Sequence, residues 1–379
     1  MSTEGSSKLR LLRIKELSND LLLLEVPPNH TVMSNAINWR LGSYRYVAIA
    51  RVPRDLRIDS PREIVESVAR EKGLDPSSTL MLLTAAKVSE SLVLDSTESP
   101  VSIDVVATVG LEPPACVDIE TVYRPLGAAT INVVVSVDEG LAPPGLADLF
   151  KLVVEAKSVA IASLTLQCRS LPFGTLTDGV AVTARAGSAV CAGIATDIGN
   201  AVAKMIRNAL VSFYRRSRRV GDALKDVVGL TIDDLVREAM RAYREAPIPG
   251  ASDSEIESEI RAVLAEVLSD PNVWCILLSA RYLDDRGRAG TIWRLPRGEY
   301  EADSPRIVAD EIMGISLASY IHGYRAVFAT YWIERLKSRR VLERVSQLPM
   351  FLDDVVSALI ASALSIVYTR RLKEVGDEL

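Results

Sequence analysis

"RRSRRVGDALKDVVG", residues 215–229, is where the chain changes grammar, and its reading decides the fold. Before it, short runs rich in Val and Ile alternate with helical patterns; after it, the strand signals stop. Its leading arginines read as the C-terminus of a helix, where cations are favoured by the macrodipole. A nucleic-acid patch is the competing reading, but the net charge of −5 supplies no basic field to recruit one, so nucleic acid is not expected as a partner.

On the N-terminal side, "RYVAIARV" (45–52), "SIDVVATVG" (102–110), "TINVVVSVD" (130–138) and "DGVAVTARA" (178–186) are bounded by turn residues and predict buried strands. Between them lie helical signatures. "SPREIVESVAREKG" (60–73) has Ser before Pro, Glu at the third position and a closing Gly. "GLADLFKLVVEAKSVAIASL" (145–164) and "TDIGNAVAKMIRNALVSFYRRSRR" (196–219) follow. Mixed strands and helices predict an α/β or α+β layered domain over 1–220. On the C-terminal side, "TIDDLVREAMRAYREA" (231–246), "SDSEIESEIRAVLAEVL" (252–268), "PNVWCILLSARYLDD" (271–285), "DSPRIVADEIMG" (303–314) and "FLDDVVSALIASALSIVYTRRLKEV" (351–375) predict an all-α helical domain over 228–379.

The 379 residues suffice for two domains, and 48% hydrophobic with 25% charged residues is the balance of a soluble globular chain. The uncharged run 355–368 is short of the 18 or more residues of a transmembrane helix, so no membrane span is expected. Cys116, Cys168, Cys191 and Cys275 lie far apart with no C-x-x-C pair. That spacing argues against a disulfide framework and a zinc ribbon and fits a reducing cytoplasm. The first residues show no long apolar core, so no signal peptide is expected. Only His30 and His322 occur, which argues against a Ser-His-Asp triad and against a multi-His metal site. Chemistry then falls to carboxylates, hydroxyls, Lys, Arg and a hard metal that prefers oxygen ligands.

"LPFGTLTDGVAV" (171–182) places a Gly, two Thr and an Asp in a turn just before an apolar strand. Such a cluster is either a self-bonded turn or a polar group presented at a strand end. Taken with "LLTAAKV" (82–88), "VVATVGL" (105–111), "TINVVVSVD", "LVVEAKSVAIASL" (152–164) and "CAGIATDIGNAVAKMIRNAL" (191–210), in this order and spacing, it resembles the adenosylcobinamide amidohydrolase family over roughly 30–215. The resemblance implies an enzyme of corrinoid salvage, a corrinoid substrate, and cleavage of the amide joining aminopropanol to adenosylcobinamide to give adenosylcobyric acid. It points to Thr84, Asn132, Glu155, Lys157, Gly174, Thr175, Thr177 and Asp178 as site residues. Amide hydrolysis needs a base, a nucleophile or activated water, and oxyanion donors. Asp178 suits the first role, Thr175 or Thr177 the second or third, and Lys157 polarisation of the carbonyl, while Glu155 and Lys157 also read as a solvated helix pair. Asn132 and Gly174 are expected to bind substrate. The loops 32–44 and 112–118 depart from the family pattern and are expected to line the substrate cavity.

In "DSPRIVADEIMG", Ser304 and Pro305 predict a helix start, and i, i+4, i+7, i+8 spacing puts Ile307, Glu311, Gly314 and Ile315 on one apolar face, aiming Glu311 inward. Asp353 and Asp354 begin a second helix whose face of Ser357, Ala358, Ala361 and Ser365 is small. Two readings stand: a shared oxygen-ligand metal site, or acids at helix starts favoured by the dipole. The segments 228–372 resemble alpha-ribazole phosphatases related to phosphatidylglycerophosphatase A. That resemblance implies a magnesium cofactor on Asp310, Glu311, Asp353 and Asp354, an alpha-ribazole 5′-phosphate-type substrate, Lys337 meeting the phosphate, and Gly314 leaving room for it. The family's Asp and Pro near Lys337 are here Glu334 and Ser338. The joint expectation is a bifunctional corrinoid-salvage hydrolase. The alternatives are a non-catalytic corrinoid-binding or scaffold protein, and an amidohydrolase carrying a structural helical domain. Assembly as a homo-oligomer stays open.

Overall fold

The computed structural model describes residues 9–377 except 41, 55, 57–59, 97–100, 118–129 and 169, with side chains described to residue 372. Leu41 and Asp118, in the two loops expected to line the cavity, lie outside the described residues. The chain divides into two compact units, Met1–Ser217 and Arg218–Leu379. The first is layered α/β and the second is helical, as the two grammars require.

The first unit runs β1 (Arg13–Leu17), β2 (Leu21–Glu25), β3 (His30–Ser34), β4 (Tyr46–Arg51), α1 (Pro61–Glu71), β5 (Thr79–Thr84), β6 (Leu92–Asp95), β7 (Ile103–Val109), β8 (Ala115–Cys116), β9 (Ile131–Leu141), α2 (Pro143–Ala162), β10 (Pro172–Gly174), β11 (Gly179–Ala186) and α3 (Asp197–Ser217). It holds a four-stranded sheet ordered β1-β2-β4-β5, a five-stranded sheet ordered β3-β11-β9-β7-β6, and a small β10-β8 pair. Most neighbours are antiparallel; β4 with β5 and β9 with β11 are parallel.

Why the central strands read as unbroken apolar runs is now plain: both faces of the five-stranded sheet are covered. Val106, Val134 and Ala181 pack against Leu22, Leu24, Val47, Ile49 and Leu80 of the other sheet. Their neighbours Val105, Val133, Val135, Val180 and Val182 pack against α2 and α3 through Leu149, Val153, Ile198 and Val202. On the outer face of the four-stranded sheet, Val65 and Ala69 of α1 meet Ala48, Ala50 and Met81. The layers therefore run helix, sheet, sheet, helices. Pro61 opens α1, but the Ser60 side chain makes no cap bond.

The cysteine expectation is corrected here. Cys116 and Cys168 are joined by a disulfide, and Cys191 and Cys275 are free and exposed. A separation of 52 residues hides the pair from any spacing argument. Their meeting is produced by the β8–β10 pairing, which sets Cys116 opposite Pro172.

The second unit runs α4 (Val220–Val228), α5 (Ile232–Arg244), α6 (Asp253–Val267), α7 (Pro271–Arg288), α8 (Arg297–Glu301), α9 (Ala309–Ser338) and α10 (Met350–Asp377). Thr231 and Ser252 cap α5 and α6 with reciprocal capping boxes, the side-chain oxygen of each accepting the N–H three residues on. The α10 helix is central, with Val355, Ala358, Leu359, Ala361, Ala363 and Leu364 fully buried. Asp284 of α7 anchors its start by accepting the Phe351 and Leu352 N–H groups (3.0 Å each) and the Tyr300 hydroxyl (2.8 Å). Burial pushes the Asp284 carboxyl up to about 6.

The helix α9 is two limbs. His322 and Gly323 are non-helical, with Gly323 at φ 63° and ψ −152°, a region essentially reserved for glycine. His322 Nδ1 bonds Ser365 Oγ at 2.9 Å, deep along α10, while residues at both far ends of α9 meet α10's first turn. The limbs therefore fold back on each other beside α10.

By length and composition, Met350–Leu372 is apolar enough to cross a membrane, with a mean hydropathy of 1.9, and so is the bent pair of α6 and α7 taken together. The apolar stretch is thus longer than the sequence count of uncharged residues suggested. Of that window in α10, 83% is buried inside the fold, the position of a bundle's core helix.

Candidate functional site

In the first unit the polar residues collect at one end of the five-stranded sheet. Parallel pairing of β9 and β11 sets Gly179 opposite Asn132, so both strands start at this end. The antiparallel partner β7 ends there, with Thr108 opposite Asn132. Just before β11, the turn 174–178 presents Thr175, Thr177 and Asp178.

Asp178 organises this end. Its Oδ1 accepts the Ile131 N–H (2.9 Å) and the Thr175 hydroxyl; its Oδ2 accepts the Thr175 N–H (3.0 Å) and the Lys157 ammonium. Lys157 and Asp178 are 6% and 10% exposed, so their ion pair is buried. Burying two charges is tolerated only where each is paired and hydrogen-bonded, which the four donors achieve. A methyl on Gly174 would run into Asp178 Oδ2 and come within 2.7 Å of Lys157 Nζ, so glycine is what lets the pair form. Four donors also occupy the lone pairs a general base would need. Through these bonds Asp178 holds Thr175 and Lys157 in place.

Thr177 is exposed, and its hydroxyl lies 2.7 Å from that of Thr130, which sequence reasoning passed over. Asn132 is buried; its Nδ2 donates to the Leu83 carbonyl (3.1 Å) and to Thr108 Oγ1 (3.4 Å). Its Oδ1 is buried without a partner. Through Leu83 the end of β5 joins the cluster, and the adjacent Thr84 bonds the Ala86 N–H at 3.0 Å, turning the chain out of the strand. Asn35, also unforeseen, clamps the turn by donating to the Asp178 carbonyl (2.9 Å) and accepting the Val180 N–H (2.8 Å). Glu155 is not brought in. It is exposed on α2, two residues and about 200° round the helix from Lys157. Thr130 had one available signal: it is a threonine immediately before a buried strand, as Thr177 is two residues before another.

A cavity of about 660 Å³ lies at the ends of β4, β5 and β7, lined among others by Arg51, Arg54, Lys72, Lys87 and Gly110. The Gly110 N–H donates to the Thr130 carbonyl (3.0 Å), so the cavity and the threonine pair share one end of the sheet.

In the second unit the acids gather where the limbs of α9 meet the start of α10. One carboxylate oxygen from each of Asp310, Glu311 and Asp354 lies within 4.8 Å of the others. The helix starts at Ala309, not at Pro305, because residues 304–307 form a turn closed by the Ile307 N–H on the Ser304 carbonyl (2.9 Å). This corrects the sequence phase. Asp310 and Glu311 lie in the first turn; Asp310 is the buried acid, at 3% exposed, and Glu311 faces solvent. The buried face is Asp310, Gly314, Leu317 and Ala318. Space beside Gly314 is filled by α10: a methyl there would lie 2.9 Å from the Asp354 carbonyl oxygen, so this glycine serves helix contact rather than room for a ligand.

Lys337 is likewise placed differently from expectation. Its ammonium donates to Glu334 Oε1 (2.9 Å) and Asp354 Oδ1 (3.4 Å) and forms an ion pair with Asp353 Oδ1 at 2.8 Å, although that buried oxygen accepts no hydrogen bond. Burial pulls its pKa down, but Asp353 and Glu334 outweigh this and hold it above the usual lysine value. Burial raises Asp310 to about 8, with Glu311 adding to it. Asp353 rises to about 7 and Asp354 to about 6, again through burial, with Lys337 opposing. Asp310 Oδ1 is buried with no partner. Three clustered carboxylates with an unsatisfied buried oxygen form a donor set that fits a hard divalent cation.

A model of the adenosylcobinamide amidohydrolase family matches residues 7–220, more than half of the chain. An uncharacterized protein of Methanocaldococcus jannaschii is 32% identical over 113 residues, covering 30% of this chain and 86% of its own. Among solved structures, the low temperature requirement C protein from Listeria monocytogenes is 22% identical with a TM-score of 0.34, covering 40% of this chain and 94% of its own. The Bacillus subtilis protein ypjQ is 22% identical with a TM-score of 0.33, covering 40% and 95%.

Proposed function

Because the chain belongs to the adenosylcobinamide amidohydrolase family, we propose that it hydrolyses the aminopropanol amide of adenosylcobinamide, releasing adenosylcobyric acid for corrinoid salvage. The observation that carries the assignment to particular residues is the buried Lys157–Asp178 pair with the threonines set around it. In the reaction the amide C–N bond breaks, water supplies OH to the acyl carbon, and a proton goes to the aminopropanol nitrogen. The exposed Thr177 hydroxyl, paired with Thr130, is the group positioned to meet the carbonyl carbon or to orient that water. Lys157, held by Asp178, is the fixed positive charge that favours the developing oxyanion. Incubating the protein with adenosylcobinamide and separating products by chromatography tests this. Appearance of adenosylcobyric acid, lost in Thr177→Ala and Lys157→Met, is expected. Corrinoid binding without turnover by the wild type would favour the binding-protein alternative.

A second reading concerns the helical unit and rests on the unpartnered, buried Asp310 Oδ1 beside Glu311 and Asp354. We propose a magnesium-dependent phosphatase acting on an alpha-ribazole 5′-phosphate-type substrate. Asp310, Glu311 and Asp354 would hold the ion, which when bound supplies positive charge to a phosphate ester. Asp353 is kept by Lys337, and Glu334 shares that lysine. Phosphate release with and without magnesium is the assay, and Asp310→Ala is expected to abolish the magnesium-dependent part.

A further inference from the structure

We infer that Lys337 takes the place of a second metal ion, so that the acidic end of the helical unit binds one divalent cation and not two. This rests on the metal reading just given and adds its stoichiometry and a positioning role for the lysine.

Five carboxylates, from Asp310, Glu311, Glu334, Asp353 and Asp354, converge at this end. They fall into two sets. Asp310, Glu311 and Asp354 form the close cluster, and its inward acceptor, Asp310 Oδ1, has no partner. Glu334, Asp353 and Asp354 surround the Lys337 ammonium, whose side chain is 10% exposed. Only Asp354 belongs to both sets. Two divalent cations sharing carboxylates commonly sit about 3.5–4 Å apart. Here one of those places already holds a covalently tethered positive charge. An ammonium withdrawn from water is held only where enough negative charge surrounds it, and three carboxylates do that. A second cation would need the same oxygens that Lys337 engages and would meet its charge. Asp353, whose Oδ1 lies 2.8 Å from the ammonium without accepting a hydrogen bond, is therefore the charge partner of the lysine, and Asp354, which does accept one, is the carboxylate through which Lys337 orients the cation set.

The test is a titration of the full-length chain with Mn²⁺, counting bound ions by loss of the free-ion electron paramagnetic resonance signal. The wild type is expected to bind one ion. Lys337→Ala, which leaves three carboxylates facing an emptied space, is expected to bind two, and Lys337→Arg one. Asp353→Asn should keep one ion with affinity within about fivefold of wild type, whereas Asp354→Asn should lose at least 100-fold. Two ions in the wild type, one in Lys337→Ala, or a 100-fold loss in Asp353→Asn would each overturn the inference while leaving the metal site standing. No bound ion in the wild type would instead remove the metal reading itself, and this inference with it. Should Lys337→Ala fail to fold, the Asp353→Asn and Asp354→Asn pair decides alone.

Discussion

Replacing Lys157 with Met keeps the length and most of the volume of a nearly buried side chain but removes its charge. Asp178 is then left as a buried carboxylate with three donors, the Ile131 N–H, the Thr175 N–H and the Thr175 hydroxyl. Removing one partner of a buried ion pair costs about 3–5 kcal/mol. The three surviving hydrogen bonds to a charged acceptor, each worth about 1.5–3 kcal/mol, hold the loss near the lower end, about 3 kcal/mol. For a unit of this size that is a fall in Tm of about 6–12 °C. Calorimetry on the full chain measures it, and a double-mutant cycle with Asp178→Asn separates coupling from general damage. The double variant should recover at least ~1 kcal/mol relative to the sum of the singles. Turnover of adenosylcobinamide should fall by about 100-fold or more, the loss expected when a preorganised charge aimed at the developing oxyanion is removed. Additive singles, or a Tm change of less than about 2 °C, would show that the pair does not organise this end of the sheet.

Four further outcomes follow from other parts of the molecule. Gly174→Ala should resemble Lys157→Met in stability and turnover, because its methyl enters the space of the same pair; full activity would place the pair outside the reaction. Thiol titration of the denatured, unreduced chain should give two reactive cysteines rising to four after reduction, and reduction should cost at most about 4 kcal/mol of stability; four thiols at the outset would contradict the Cys116–Cys168 bond. In the helical unit, Asp284, Asp310 and Asp353 all have folded pKa values raised above their unfolded ones, to about 6, 8 and 7. Their contribution to stability is therefore full below about pH 4 and lost as pH rises through 6 to 8. Without divalent ions, Tm should drop across that window, and magnesium should flatten the drop; a rise in Tm would reverse the sign of the argument. Asp284→Ala strands two N–H groups at the start of α10 and the Tyr300 hydroxyl, and should cost about 2–4 kcal/mol in chemical denaturation.

Much of the fold was legible because its signals are local. The strands 46–51, 103–109, 131–141 and 179–186 carry Val-rich runs that report double burial, and the Thr231 and Ser252 caps mark helix starts without reference to anything distant. What stayed hidden depends on contacts across the chain. Strands β1 to β3 gave no clear signal. Asp310 and Glu311 exchanged roles because a helix face is read from its first residue, and a turn at 304–307 moved that residue by several positions. At the amidohydrolase end, Thr175, Lys157 and Asp178, named together with Thr177, are bonded to one another through the Asp178 carboxylate, while the Thr177 hydroxyl is bonded to Thr130. Glu155 was drawn in by its nearness in sequence to Lys157, although two residues on a helix point to nearly opposite sides.

The fold-back at Gly323 has a consequence for how this protein tolerates change. Along an unbroken helix, Asp310 and Lys337 would stand about 40 Å apart, yet both reach Asp354. The two limbs are therefore matched in length, like the arms of a caliper. A single residue inserted in either limb would turn every side chain beyond it by about 100° and shift it by about 1.5 Å, while leaving that limb as good a helix as before. Drift in limb length is thus expected to erase the acidic end before it unfolds the bundle. Substitutions along the solvent side of either limb should pass almost unnoticed.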